Sequence, residues 1–298
     1  MNSYDDIIYN APTFEQHFKM SKEDYAAIKK EEREALYALS DKTVKDVCCK
    51  GDRFRQYLDM QAISSRSAVN TLLILAQMPQ ATRLYDYDRW KAQGAYVKSN
   101  SISVKILEPQ EYTKDDGTVG VGYDVKRIYD VSQVDTRRMK PAAPPPKHDE
   151  RQLLKALVHK APVSIVSVET MPDHLLEGIG AFFDSRENVI MVQKGMMFTD
   201  IFQSVAQELA SENLYSSPNE QADRHFSAYC ASYLLCIKYG IDTQGFDFSE
   251  APEVFSDMDS QTIKGELQQI CDAVGNISLR MEKQLDSFQK AEKAQEVR

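Results

Sequence analysis

A proline-rich stretch near the middle of the chain limits what the whole can fold into. Residues 137–150 read Arg-Arg-Met-Lys-Pro-Ala-Ala-Pro-Pro-Pro-Lys-His-Asp-Glu. Proline fixes φ and lacks a backbone donor, so no helix interior or central strand runs through such a segment. It is predicted to be an extended, semi-rigid linker between two units, residues 1–136 and 151–298. Charge divides at the same place. Residues 1–150 carry 23 Lys and Arg against 23 Asp and Glu, whereas residues 151–298 carry 13 against 22. The whole net charge of −9 therefore lies in the second unit. Units so differently charged are expected to meet different partners.

With 42% hydrophobic residues the chain can build real cores, which excludes global disorder. The five cysteines (Cys48, Cys49, Cys230, Cys236, Cys271) are odd in number and contain no C-x-x-C pair. A secreted disulfide framework does not look like this, so a reducing compartment is expected. The start, Met1-Asn-Ser-Tyr-Asp-Asp-Ile-Ile, is acidic and has no apolar signal core. Apolar runs such as Leu72-Leu-Ile-Leu-Ala76 are too short to span a bilayer. The expectation is a cytoplasmic protein with no membrane contact.

Patterning predicts an α+β fold in both units. Helices are expected over residues 13–60. Ser21 caps one, and Asp41 caps a second that stops at Gly51. A buried helix follows over residues 63–79, with a serine-rich start and a stopping Pro79. Residues 85–94 read as a short helix ended by Gly94. Alternation over 95–98 and 101–107 reads as strand, Asp115-Asp-Gly as a turn, and 119–131 as one or two further strands. In the second unit a helix over 152–159 precedes a strand over 163–168. Phe182-Phe183 and Val189 to Val192 form a hairpin about a polar turn. Helices are then expected over 196–214, 222–239 and 262–296.

The helix over 196–214 contains Gln207-Glu208-Leu209-Ala210-Ser211. In H-E-x-x-H two imidazoles at i and i+4 share one helix face and bind Zn²⁺, and the Glu is a general base for metal-bound water. Here the Glu survives as Glu208, while an amide and a hydroxyl stand at the imidazole positions. The pattern predicts no metal, no cofactor and no peptidase chemistry. Glu208 is then a remnant, read as an ordinary helix carboxylate.

A wider pattern resembles one known family. Asn70-Thr-Leu-Leu-Ile-Leu-Ala-Gln-Met-Pro-Gln-Ala-Thr-Arg83, then Trp90, Val97-Lys98, Ile106-Leu107-Glu-Pro109 and Tyr129-Asp-Val-Ser-Gln133 are similar to the N-terminal single-stranded-DNA-binding domain of ArdC-type antirestriction proteins and LtrC-like proteins of conjugative elements. The match covers roughly residues 55–135. The second half is similar to the zincin-like metallopeptidase domain that accompanies it. Gly180-Ala-Phe-Phe-Asp184 with Val189-Ile-Met-Val192 resembles the hairpin before the metal helix. The segment from Phe226 to Thr243 resembles the helix of the third ligand. The resemblance implies a Glu where this chain has Tyr229, so all three ligand positions (Gln207, Ser211, Tyr229) differ. One nearby His225 cannot make a site and is read as a surface or half-buried histidine.

Single-stranded nucleic acid is held by basic grooves with aromatic platforms. Residues 51–105 carry eight basic residues against four acidic ones, interleaved with Tyr85, Tyr87, Trp90 and Tyr96. The candidate contacts are Arg66, Asn70, Arg89, Trp90, Lys91, Lys98 and Lys105. For Trp90 the competing reading is core packing. For Arg66 and Asn70 it is surface exposure and helix capping. The resemblance implies a Lys- and Gly-rich loop where this chain has Ser99-Asn100-Ser101. The expectation is a single-stranded-DNA-binding accessory protein of a mobile element with an inactive zincin-like half. The alternatives are a protein-interaction module, with a protein partner for the acidic half, and a metallopeptidase with unusual ligands.

Overall fold

The structure, a computed structural model, describes residues 21–113, 117–139, 147–172, 175, 178–215 and 224–296. Residues 140–146 of the predicted linker and the Asp115-Asp116 turn residues lie outside these. The fold is α+β with small sheets.

Helix α1 (Lys22–Cys48) starts as expected, with the Ser21 side chain accepting from the Asp24 N–H at 3.0 Å. It does not break at Asp41. The Ser40 and Thr43 hydroxyls donate to carbonyls one turn back, so neither competes with the helix from a capping geometry. The Asp41 carboxylate instead accepts from Lys264 Nζ at 2.6 Å, an ion pair to the last helix. Gly51 does not stop a helix either; it begins α2 (Gly51–Ser64). A Cβ there would stand 2.6 Å from the Phe248 carbonyl oxygen, so only glycine permits this close approach. Helix α3 (Ala68–Gln77) is capped by Ser67.

Next come β1 (Leu84–Tyr85), α4 (Tyr87–Ala92), β2 (Tyr96–Val97), β3 (Val104–Thr113), β4 (Val119–Asp130) and β5 (Val134–Asp135). Strands 3 and 4 form a long antiparallel hairpin, β1 adds to the end of β4, and β2 pairs with β5. The hairpin is clipped to α3 by two amides seven residues apart on that helix. Asn70 donates to and accepts from the backbone of Leu107 at 2.8 and 2.9 Å. Gln77 does the same with the backbone of Lys105. Polar groups on the free edge of β3 are thereby satisfied from within the molecule.

The second half contains α5 (Glu150–Val158), β6 (Ser164–Val168), β7 (Ala181–Asp184), β8 (Val189–Gln193), α6 (Phe198–Tyr215), α7 (Arg224–Tyr239), α8 (Ala251–Val254) and α9 (Ser260–Glu296). Strand β8 is central, parallel to β6 and antiparallel to β7. Arg280 of α9 donates to the Leu157 and His159 carbonyls, closing the C-terminal end of α5.

The core does not stop at the linker. Val44, Phe54, Leu58 and Leu72 belong to one buried cluster with Phe202, Leu235, Phe248 and Leu267. Phe54 is fully buried and touches the rings of Phe226, Phe248 and Phe255 at centroid distances of 5.4–5.9 Å. Residues 137–150 therefore join two stretches of chain that share a core. Phe54→Ala is expected to cost about 3–5 kcal/mol in denaturant unfolding. Hydrogen-exchange protection should fall in α7 as well as α2; loss confined to α2 would mean the halves are stabilised separately.

Candidate functional site

Helix α6 carries Gln207, Glu208 and Ser211, and α7 carries His225 and Tyr229. The two helices are held together through the Ser232 hydroxyl, which donates to the Gln203 carbonyl at 2.8 Å. Strand β7 runs across their end. Residue 180, where the chain enters β7, is glycine, and a Cβ there would crowd the ends of the Met196 and Ser204 side chains. Together these elements enclose a cavity of about 500 Å³. Gln207, Glu208, Ser211 and Tyr229 all line it, so the positions singled out by spacing and resemblance do converge. His225 lines it too, exposed at the rim with Nδ1 lying 3.4 Å from Gln207 Nε2. Ser204, one turn before Glu208, also faces the cavity and had no signal in the sequence.

Glu208 Oε2 accepts the Phe183 backbone N–H at 2.8 Å. Phe183 lies on β7, whose outer edge has no neighbouring strand among the described residues, so the carboxyl satisfies a donor of an open sheet edge. Burial pushes the Glu208 carboxyl up to about 7, opposed only by this hydrogen bond. Tyr229 Oη accepts from the Asp247 N–H at 2.8 Å, and burial raises its phenol above the ordinary value.

The donors do not fit the zinc that the resemblance implies. Catalytic zinc takes imidazole, thiolate or carboxylate from three places. Here the three places offer a neutral amide, a hydroxyl and a phenol. Among the described residues, no group of three or more His, Cys, Asp or Glu is placed to hold a metal ion.

The predicted nucleic-acid contacts are dispersed. Trp90 is fully buried and donates Nε1–H to the Tyr129 carbonyl at 2.9 Å, so it is a core residue and offers no face to a base. Asn70 is buried in the clip to Leu107 and is not available to a phosphate. Lys105 pairs with Glu32 at 2.7 Å, and this contact holds Glu32 below the usual carboxylate range. Arg66 is half-buried, and desolvation lowers its pKa. Arg89, Lys91 and Lys98 are exposed at the other end of the first sheet. Arg89 stacks over the Tyr85 ring at 4.0 Å, and Lys98 Nζ donates to the Ser132 carbonyl at 2.8 Å. Beside them, Tyr96, Asp135, Arg137 and Arg138 line a hollow of about 430 Å³. The sequence reading passed over Arg137 and Arg138 because they fell in the predicted linker. Among the described residues no helix is long and apolar enough to cross a membrane.

No family model and no curated protein matches the chain. The solved structures that resemble it include two of the antirestriction protein ArdC from plasmid R388. The metal-free structure is 12% identical over 74% of this chain and 85% of that one, with a TM-score of 0.47. The Mn(II)-bound structure is 11% identical over 73% and 84%, with a TM-score of 0.48. Identity this low leaves the chemistry of the cleft to its own residues.

Glu208 gives the cleft a definite pH signature. Its unfolded-state pKa is in the ordinary carboxylate range and its folded-state value is near 7, so the folded protein holds this proton more tightly. The stabilisation is full below the unfolded value and is lost as pH rises through 7. Glu208→Gln keeps an acceptor for the Phe183 N–H but does not ionise. Between about pH 4.5 and about pH 8 the parent should lose about 1–3 kcal/mol more than the variant in denaturant unfolding. Parallel pH curves would show that Glu208 titrates as an ordinary surface acid.

Proposed function

We infer that the chain is a single-stranded nucleic-acid-binding accessory protein, with a peptidase-like cleft that performs no metal chemistry. The observation that carries the binding reading is the hollow at β2 and β5. Tyr96 is 47% exposed there, beside exposed Arg137, Arg138 and Lys98. A flat ring among cations is what a sequence-tolerant strand binder needs: bases stack and phosphates pair. Asp135 holds Arg137 in place through a two-point hydrogen bond, which fixes the guanidinium at the rim. Arg89 and Lys91 extend the same basic end along α4. The association with mobile elements is supported by the sequence resemblance. The inactive cleft is supported by the donor set, and metal analysis of purified protein tests it: stoichiometric zinc would restore the peptidase reading.

Protein docking is a second reading, favoured by the outer part of the β3–β4 hairpin. Val119, Val121 and Tyr123 are 65%, 61% and 48% exposed on one of its faces. A partner that survives nuclease treatment and is lost in Val121→Asp would favour it.

An electrophoretic shift with single-stranded oligonucleotide separates the two readings. Tyr96→Ala should weaken binding by about 1–3 kcal/mol. Lys98→Ala and Arg138→Ala should each flatten the salt dependence by about 0.7 in log–log slope. Trp90→Phe, which keeps a ring in the core, should leave affinity unchanged. Folded protein that binds no strand at low salt overturns the reading.

A further inference from the structure

Among the described residues the cleft lacks a set of metal donors, yet it is a formed cavity into which Glu208 places a carboxyl. Glu208 has one oxygen committed to the Phe183 N–H, and among the described residues nothing donates to Oε1. Among the described residues no lysine or arginine lines the cavity. The remaining wall is rich in neutral acceptors: Ser204 and Ser211 hydroxyls, the Gln207 amide and the Tyr229 phenol. Phe182 and Tyr229 add aromatic surface.

We propose that this cleft binds a small primary alkylammonium ion, with Glu208 Oε1 as its anionic acceptor. An ammonium carries three donors and no acceptor, which matches a wall of acceptors around one carboxylate. A charge-assisted hydrogen bond in a desolvated place is stronger than a neutral one. The alkyl stem fits against the Phe182 and Tyr229 rings, where a cation is also attracted to a ring face. The excess acid of residues 151–298 draws cations toward this half. Burial without a counter-charge keeps the carboxyl reluctant to ionise, and a bound ammonium supplies that charge.

The inference rests on the reading of the cleft as free of metal chemistry, and the test keeps the two apart. Full-length protein is titrated with n-butylamine, with 1-butanol and with zinc, each followed by backbone amide chemical shifts. Butylamine should saturate and move the amides of β7 and of α7 near Tyr229. The alcohol, of the same size and uncharged, should bind at least tenfold more weakly. Glu208→Gln should weaken butylamine at least tenfold. Ser211→Lys, which brings its own ammonium into the cavity, should abolish binding even if Glu208→Gln fails to fold. Equal binding of amine and alcohol, unchanged affinity in either folded variant, or no saturable amine binding overturns the proposal. Stoichiometric zinc at Glu208 would overturn the underlying reading instead.

Discussion

The aromatic cluster around Phe54 sets the position of the helix that carries one wall of the cleft. Four rings from α2, α7 and the segment about α8 meet there with no water-accessible gap: Phe54, Phe226, Phe248 and Phe255 are each 5% exposed or less. Gly51 lets the start of α2 come into contact with the Phe248 backbone. Beside this contact, the Tyr233 hydroxyl donates to Asp59 at 2.6 Å, and Arg55 reaches the Thr243 carbonyl. Helix α7 is thus held on one side by the first half of the chain. The same face of α7, one and two turns earlier, presents Tyr229 and His225 to the cleft, and the Tyr229 ring rests on Phe246 and Phe248 at 4.8 and 5.6 Å.

That arrangement explains how the cleft can keep its form without a metal. In a metal site the ion itself draws helices together, and folding and binding are linked. Here α6 and α7 are joined by buried side chains and by the hydrogen bond from Ser232 to Gln203. The Glu208 carboxyl ties β7 to α6. The cavity is therefore kept open by packing, and Gln207, Ser211 and Tyr229 line it without a structural duty to any ion.

Much of this was legible in the sequence. The helix start at Ser21, the β7–β8 hairpin and the shared helix face of Gln207 and Ser211 follow from local patterns, and the place of Tyr229 beside them from the family resemblance. What failed were inferences that needed the tertiary partner. Asp41 has the chemistry of a cap, but Lys264 claims its carboxylate from more than two hundred residues away. Gly51 resembles a stop signal, but its missing side chain serves a close approach to Phe248. Trp90 sits among charges in sequence, yet its ring is covered by Tyr85, and Arg83 lies over its face at 5.2 Å. Asn70 looks like a surface polar group until the β3 edge is found beside it. In each case the residue type was right for the role assigned, and a distant segment decided the role.

The same logic separates the two ends of the molecule electrostatically. Basic residues of the first half that lie near the hairpin clip are neutralised: Lys105 by Glu32, and Lys126 by Asp86 and Glu108. At β2, β5 and α4, Arg89, Lys91, Lys98 and Arg138 are exposed, while Arg137 is paired with Asp135. A polyanion approaching a chain of net charge −9 is repelled by the second half, and the repulsion is screened beyond about 8–10 Å at ordinary salt. For a strand to bind at the end bearing Tyr96, Lys98, Arg137 and Arg138, as proposed, local attraction has to exceed that long-range repulsion. Lower salt strengthens both terms, so a strand bound there should depend on salt less steeply than its phosphate contacts alone imply.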